Sequence, residues 1–431
     1  MVINNSQNKH TISIYFYYRS QSNIFCEATL FLISISCNIP SAPINFHILL
    51  YPIYSKNQFI CTNMKREPNF EILRTLAMLF IVIGHFIIHG ITFVSNHQAT
   101  FVNMSSAWGI SNFVILEYLV YITGTGVNCF VMISGYFLVK SEFRMNKILK
   151  IWIQTFFYSF FICLLIKLSG LLPLGFKDLV QSALPIHSDA YWFVSKYLGL
   201  LILSPFLAKL ALALEKKKFQ YFLLALFVLN VSLNKGFPYG DIYSGSYSLL
   251  WFIFLFYVAA YIRLYSPFEK FKYSFGKIFL LFCFFLAVCY LAKAGISYLR
   301  YGQLPVYGKT DYNGYTFFSA VLLFLWTKYH TFGKKTIYRL MVKIAPYAFG
   351  IYLIHDNRYI RELLWEHWIK PTRYLDSGYL LPVLFLSVIL IYGICTGIDY
   401  FRAKLFTYIH INKLADHAIV YAGNVFNKIR R

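Results

Sequence analysis

The sequence predicts an all-α, polytopic integral membrane protein with about ten transmembrane helices and both ends of its core in the cytoplasm. Hydrophobic residues make up 58% of the 431 positions, charged residues make up only 13%, and the mean hydropathy is +0.56. Because about a quarter of the residues in soluble domains are charged, this composition excludes an ordinary soluble fold. The net charge of +23 alternates with the apolar segments, as positive-inside topology requires, so it does not indicate nucleic-acid binding.

Ten apolar segments are candidates for crossing a bilayer, which takes about 20 residues in a helix. The fifth is short, and the ninth is interrupted by polar residues. The predicted spans cover residues 71–94, 113–139, 149–172, 191–212, 219–234, 247–265, 276–295, 313–329, 345–365 and 379–401. The alternate loops hold 25 Lys and Arg residues on one side and 10 on the other. The richer side is assigned to the cytoplasm, which predicts an even number of spans.

Residues 1–63 differ from the rest of the chain. Their best apolar stretch, ATLFLISISC, is too short to span a bilayer and lacks the flanks of a signal peptide. We therefore expect a poorly structured leader, an upstream extension with Met64 as the functional start. One membrane domain over residues 64–405 and a basic cytoplasmic tail over 406–431 follow it.

The first span places two ionisable side chains on one helix face. Arg74 and His85 are eleven residues apart, which returns to nearly the same face about 16 Å further along the helix. Ionisable groups inside a bilayer cost about 2.5–3.5 kcal/mol each on insertion scales, so they usually face a cavity. Two structural explanations remain open, since Arg74 could snorkel to the helix end and His85 could bond to another helix.

A second histidine follows one turn later. His89 and His85 have the i,i+4 spacing of some zinc ligands, but this span offers no third ligand. The eight cysteines include no CxxC pair and read as small buried hydrophobic residues. We therefore predict no metal site, and we expect His89 to face the outer headgroup region.

Five short segments of the core form an ordered set. They are LRTLAMLFIVIGH, GVNCFVMISGYFL, FRMNKILKIW, YWFVSKYLGLLILSPFL and APYAFGIYLIH. In this order they resemble the membrane-bound acyltransferase 3 family. Its members show a Leu-Arg pair with a later histidine, a Ser-Gly-Phe/Tyr ending, an Arg-x-x-Arg element, a Trp-Phe/Tyr stretch ending in Ser/Thr-Pro, and a Ser-x-Gly-x-Tyr-Leu-x-His ending. The resemblance covers nearly everything from Met64 to about residue 400.

Two positions depart from the family pattern. Asn128 stands where many members have an acidic residue, which removes any role for a carboxylate there. The Arg-x-x-Arg element appears as Lys147 and Lys150, and Arg144 lies three residues before Lys147. This substitution keeps the positive charge but loses the bidentate geometry of arginine.

The resemblance implies a bacterial inner-membrane O-acyltransferase, specifically an acetyltransferase. Its donor would be cytoplasmic acetyl-CoA or another acyl-CoA, and its acceptor a hydroxyl of a surface polysaccharide or of its lipid-linked precursor. We expect no bound cofactor. The expected partners are donor, acceptor and bilayer, and the sequence leaves the oligomeric state open.

Within this interpretation His85 is the predicted catalytic residue. A buried imidazole is expected to be neutral and able to accept a proton. His85 would then act as the general base on the acceptor hydroxyl or, in a variant mechanism, carry the acetyl group as an acetyl-imidazole. The sequence does not separate these two routes.

Two further sets of residues complete the predicted site. Those expected to bind the donor phosphates at the cytoplasmic face are Arg74, Arg144, Lys147 and Lys150. Those expected to line the substrate pocket are Ser134, Trp192 and His355. Positive-inside bias explains the basic loop equally well, and His355 could instead belong to an interfacial polar cluster. Two outer loops rich in aromatic and polar residues, 234–247 and 297–315, are a candidate acceptor surface.

A transporter is the alternative from another functional class. A polysaccharide flippase or a small-solute permease would also have many spans, but it is expected to show paired halves with broken helices in corresponding positions. The sequence shows no such symmetry, so we favour the acyltransferase.

Overall fold

The computed structural model describes residues 10–22, 25–37, 46–49, 67–92, 106–232, 248–302, 313–333, 335–411, 413–419 and 421. The chain divides into two compact units, which we describe separately. One comprises Met1–Lys65 with Asp416–Arg431, and the other comprises Arg66–Ala415.

The first unit contains three strands, β1 His10–Ser22, β2 Phe25–Cys37 and β3 Phe46–Leu49. They form an antiparallel sheet in the order β1-β2-β3, in which His10 pairs with Cys37 and Leu32 with Leu49. β-Branched and aromatic residues are frequent here, and they favour extended backbone. The assignment of residues 1–63 as a leader, with Met64 as the functional start, stays a prediction.

The second unit is all-helical throughout its described part, which agrees with the predicted fold class. Its α-helices are α1 Pro68–Ile87, α2 Ala107–Thr123, α3 Thr125–Leu138, α4 Met145–Ser169, α5 Phe176–Ala183, α6 Trp192–Ala213, α7 Lys216–Phe227, α8 Leu249–Tyr265, α9 Phe275–Tyr301, α10 Asn313–Tyr329, α11 Thr336–Ile344, α12 Ala348–His355, α13 Arg358–Glu362 and α14 Leu380–Tyr408. Turns of π-helix follow α1, α7 and α13, at Ile88–Thr92, Val228–Ser232 and Leu363–Ile369.

Among the described residues, seven helical segments are long and apolar enough to cross a membrane. They are Pro68–Ile91, Ala107–Leu138, Met145–Ser169, Trp192–Ala213, Phe275–Arg300, Thr336–His355 and Leu380–Tyr408. Two more apolar helices, Leu249–Tyr265 and Thr316–Tyr329, are shorter. Each of the ten predicted spans thus contains a helix, but the number ten and the orientation remain predictions.

Helix α1 is the hub of the second unit. It packs against α2, α3, α10, α11, α12 and α14, and its apolar side chains are buried on several faces. Next to it, α3 packs closely on α8, because Gly135 has no side chain: a Cβ there would lie 2.6 Å from Phe256 Cα. Because six helices pack against α1, its polar face is turned towards other helices.

The ninth predicted span differs from the structure. Its helix begins earlier, at Thr336, and ends at His355. Asn357 then caps α13, since its side-chain oxygen accepts a hydrogen bond from the Tyr359 N–H at 3.1 Å. Such side-chain bonds compete with continued helix. The break leaves His355 and Asp356 at a helix end, where both are buried.

Candidate active site

A cavity of about 510 Å³ runs along α1. Arg74, Met78, Ile81 and His85 line it from this helix. Their spacing of four, three and four residues follows one face. The predicted stripe from Arg74 to His85 is therefore present, and it faces a cavity.

Four other segments close the cavity around this stripe. Apolar side chains form most of the lining, and the basic residues belong to α1 and α4. The remaining lining residues are Val127, Phe130, Ile133 and Ser134 of α3; Lys147, Lys150 and Ile151 of α4; Trp192, Phe193 and Tyr197 of α6; and Ala345, Pro346, Phe349 and Tyr352 in and before α12.

Arg74 is held in place by the carboxylate of Glu71, three residues earlier on the same helix. Its Nη1 donates to both carboxylate oxygens of Glu71, at 2.8 and 2.7 Å, and Glu71 is buried. Nε and Nη2 of Arg74 make no hydrogen bond to the described residues, so the guanidinium keeps donors for an anion. Arg74 thus lines a cavity instead of only snorkelling.

Three of the four predicted donor-binding cations line the cavity. Arg74, Lys147 and Lys150 do so, and we call this set the cationic end. Arg144, which precedes α4 and is exposed, does not line it.

His85 forms the other end of the stripe, and its hydrogen bonds determine its tautomer. His355 Nδ1 lies 2.6 Å from the Ile351 carbonyl oxygen, which can only accept, so Nδ1 carries the proton. The neutral ring then accepts at Nε2, which lies 2.9 Å from His85 Nδ1. His85 Nδ1 is therefore the donor, and His85 Nε2 is left with a lone pair. His355 lies behind His85 and does not line the cavity.

A buried carboxylate stands beside this histidine pair. Asp356 Oδ1 lies 3.5 Å from His85 Nδ1, 3.4 Å from His89 Nε2 and 3.6 Å from Arg361 Nη1. Burial alone would raise the pKa of Asp356, but the two imidazoles and the Arg361 guanidinium hold that pKa well below its usual range. Asp356 is therefore an anion, and it can stabilise the positive charge that His85 acquires when it accepts a proton.

The same residues bear on the prediction that no metal binds. Ligand atoms of His85, His89 and Asp356 lie within 4.8 Å of one another, so the third ligand missing from the first span comes from the end of α12. However, His85 Nδ1 is engaged by His355, and Arg361 places a positive charge beside Asp356. Both features disfavour a divalent cation here, and the prediction of no metal stays a prediction.

The remaining predicted pocket residues are part of the cavity wall. Ser134 and Trp192 both line it. Ser134 Oγ lies 3.1 Å from the Phe130 carbonyl oxygen and 3.0 Å from Tyr197 Oη, so its hydroxyl is already bonded. The candidate acceptor loops fall largely outside the described residues.

The helix break behind the histidines is fixed by a buried tyrosine. Tyr191 Oη donates to the Leu353 carbonyl oxygen at 2.9 Å and accepts from Asn357 Nδ2 at 2.9 Å. These bonds tie the start of α6 to the turn after His355. The histidine pair is thus held from both sides of the helix end.

Comparison with known proteins agrees with this geometry. A family model described as an acyltransferase domain, that of the acyltransferase 3 family, matches residues 67–398, well over half of the chain. The chain belongs to this family. No curated protein and no solved structure matches it. With its apolar helices, the chain is a membrane acyltransferase.

The structure explains the Ser-Pro motif of this acyltransferase. Pro205 lies inside α6 and has no N–H, which leaves the Leu201 carbonyl without its helical donor. Ser204 Oγ donates to that carbonyl at 2.8 Å. The serine thus replaces the missing bond inside an apolar helix.

The glycine of the Gly-x-Tyr-Leu-x-His motif permits a close helix contact. A Cβ at Gly350 would overlap Asp399 Cγ of α14. Asp399 is fully buried and accepts from Arg402 Nε and Nη2 at 2.9 and 2.8 Å, from Tyr158 Oη at 2.7 Å and from Gln154 Nε2 at 3.2 Å. These hydrogen bonds join α4 to α14, and α12 packs against them at Gly350.

Asn128 is a packing residue in this chain. It is fully buried, and its Oδ1 accepts a hydrogen bond from Trp251 Nε1 at 2.9 Å. It does not line the cavity. The prediction that no carboxylate acts at this position is compatible with that placement.

Sequence reasoning missed several residues for which a signal existed. Glu71 stands three residues before Arg74, a spacing that pairs side chains on a helix. Asp399 is an acidic residue inside a predicted span, where ionisable groups mark pairs or pathways. Tyr191 and Tyr352 both lie in segments that resemble the family, YWFVSKYLGLLILSPFL and APYAFGIYLIH, but the abundance of aromatic residues in this chain gave no reason to single out either one.

Proposed function

We propose that this membrane acyltransferase transfers an acetyl group, or another short acyl group, from cytoplasmic acyl-CoA to a hydroxyl of a surface polysaccharide or its lipid-linked precursor. The observation that supports it most is the arrangement of the cavity. A cationic end and the unprotonated Nε2 of an imidazole occupy one continuous, mostly apolar space.

The cavity suits the chemistry of an acyl-CoA donor. The phosphates of coenzyme A would bind Arg74, Lys147 and Lys150, which offer charge-assisted hydrogen bonds. The thin pantetheine arm would then extend along the apolar wall toward His85. In this pose the cationic end faces the cytoplasm, as the loop charges predict.

The proposed reaction uses His85 Nε2 as the base. It takes the proton of the acceptor hydroxyl while the hydroxyl oxygen attacks the thioester carbonyl carbon. The imidazolium that forms is stabilised by the Asp356 carboxylate, and its proton then passes to the departing thiolate. The products are the ester and free coenzyme A, with no net gain or loss of protons.

Reconstituted protein tests the proposal directly. Liposomes containing the chain, given radiolabelled acetyl-CoA and a glycan extract of the host, are expected to form labelled glycan. Mass spectrometry of the surface glycan with and without the gene would identify the modified sugar. Solute transport without any acyl transfer would contradict the proposal and support the transporter.

A further inference from the structure

A groove of about 440 Å³ lies between the turn before α12 and the end of α14. Its lining residues are Tyr347, Tyr400, Ala403, Lys404, Thr407 and Tyr408. The volume falls within the range of small-molecule sites, about 300–1,000 Å³. None of these six residues lines the cavity along α1, so the groove is a separate space.

The groove presents one positive charge and several hydroxyl groups. Lys404 Nζ lies 4.6 Å from the centre of the Tyr400 ring, a distance typical of a cation–π contact. The Tyr400 ring in turn packs edge-on against Tyr347, with centroids 6.0 Å apart. Among the described residues, no carboxylate pairs with Lys404 and none bonds to the hydroxyls of Tyr347, Tyr400 and Tyr408. These groups are therefore available to a ligand.

The two segments that form the groove have no acidic residue. Residues 312–355 and 400–415 contain eight Lys and Arg residues and no Asp or Glu. Asp399, the acidic residue just before the groove on α14, is fully buried and bonded to Arg402. The charge that complements the groove is therefore negative. Lysine binds phosphate as a point charge, and tyrosine hydroxyls can add hydrogen bonds to its oxygens.

The position of the groove on α14 places it at a membrane surface. This helix has 29 residues, and its length of about 43 Å exceeds the hydrocarbon core of a bilayer, about 30 Å. A band of exposed apolar side chains runs along it from Phe385 to Phe401. Lys404 and Tyr408 follow in the last turns, and both residue types are typical of the headgroup region. The groove thus opens at the level of the lipid headgroups.

We infer that this groove binds the headgroup of an anionic glycerophospholipid, whose phosphate contacts Lys404 and accepts hydrogen bonds from the tyrosine hydroxyls. The acyl chains of the lipid lie along the apolar band of α14. The loop charges assign this end of α14 to the cytoplasm, where the leaflet has a negative surface potential. A zwitterionic headgroup also carries a phosphate, but its own cationic amine lowers its attraction to Lys404.

A lipid in the groove also supports one wall of the cavity along α1. Tyr347 belongs to the 3₁₀ turn Ala345–Tyr347, and Ala345 and Pro346 of that turn line the cavity. A ligand that binds only the folded chain stabilises it. Phosphatidylglycerol is therefore expected to raise the midpoint of thermal unfolding of the wild type, but not that of Lys404→Gln.

Native mass spectrometry of the full chain in detergent tests the site. Phosphatidylglycerol and phosphatidylcholine with the same acyl chains are titrated separately, so that only the headgroup differs. The wild type should bind one phosphatidylglycerol more tightly than phosphatidylcholine. Lys404→Gln is expected to weaken phosphatidylglycerol binding about 10-fold, because charge-assisted hydrogen bonds contribute more than neutral ones. Lys404→Arg keeps the charge and should retain most of the affinity.

Lys272→Gln is the matched control. Lys272 is also exposed and lies 5.2 Å from the centre of a tyrosine ring, that of Tyr273, but it is outside the groove. Its substitution should leave the affinity for phosphatidylglycerol unchanged. If Lys404→Gln binds this lipid as tightly as the wild type does, or if the wild type does not distinguish the two lipids, the inference is wrong.

Glycerol 3-phosphate separates a lipid from a soluble phosphate compound. It carries the phosphate and the glycerol without acyl chains, so it should not displace phosphatidylglycerol at an equal concentration. Displacement at equal concentration would mean that the groove binds a soluble phosphate compound, and the assignment of a lipid would be overturned.

Discussion

At the scale of single residues, the protonation pattern of one histidine determines what the cavity can do. The carbonyl of Ile351 fixes the tautomer of His355, and His355 fixes that of His85. The sequence placed Arg74 and His85 on one face because helix periodicity follows from spacing alone. It could not show that His355 lies behind His85, since that contact joins residues 270 positions apart.

Substitution of His355 tests its role as a positioning residue. His355→Ala removes the acceptor that holds the His85 Nδ1 proton, so we expect kcat to fall on the order of 100-fold. His355→Gln places a carbonyl oxygen near the original Nε2 and should restore part of that loss. Acyl-transfer kinetics would check this. If His355→Ala is as active as the wild type, His355 does not determine the tautomer of His85.

Arg74 supports a second prediction at this scale. Arg74→Ala removes a guanidinium from the cationic end and is expected to raise KM for acyl-CoA roughly 10-fold, because charge-assisted hydrogen bonds contribute more than neutral ones. Arg144→Ala is the matched control, since Arg144 is exposed outside the cavity. If Arg144→Ala raises the KM for acyl-CoA and Arg74→Ala does not, the assignment of Arg74 as a donor-binding residue is wrong.

At the scale of helices, the contacts of α12 determine where the site can form. The sequence predicted a helix here, but placed it over 345–365 because the apolar residues continue beyond His355. The actual end depends on Asn357, which caps α13, and on Tyr191 from another helix. Such tertiary bonds are not visible in a hydropathy pattern.

The variant Gly350→Ala tests the close contact between α12 and α14. In Gly350→Ala the new methyl group would overlap Asp399, which cannot easily move because four hydrogen bonds hold it. Overpacking of this kind typically costs about 1–3 kcal/mol. Thermal unfolding in detergent should show a lower midpoint for Gly350→Ala.

Gly393 of α14 is the control for that measurement. A Cβ there would meet no atom within 4 Å, so Gly393→Ala should unfold at or above the wild-type temperature. Equal midpoints for both alanine variants would mean that α12 and α14 are not in the close contact described.

At the scale of the whole molecule, the start of α1 lies close to the ends of α8 and α10. The charge pattern had assigned all three of these helix ends to the same side of the membrane. Glu67 before α1 lies 3.6 Å from Arg263 of α8, and Asn69 Nδ2 donates to the Lys328 carbonyl of α10 at 3.4 Å. The sequence could predict this grouping because charge and hydropathy alternate along the chain. It could not fix the number of spans, since α7, α8 and α10 are shorter than a full crossing.

Cysteine labelling tests the predicted orientation. Lys272 lies in a predicted cytoplasmic loop and Lys177 in a predicted outer loop, and both are exposed. With a membrane-impermeant maleimide on intact cells, Lys177→Cys should react and Lys272→Cys should react only after lysis. The reverse pattern would invert the topology and place the cationic end outside.

His85 is the proposed base of the acyl transfer. The most direct measurement is the rate of acetyl transfer by reconstituted His85→Ala, compared with wild type and with His367→Ala, an exposed histidine outside the cavity. We predict a loss of about 10²- to 10⁴-fold for His85→Ala at normal protein level, with His367→Ala unaffected. Transfer by His85→Ala at the wild-type rate would show that His85 is not the base.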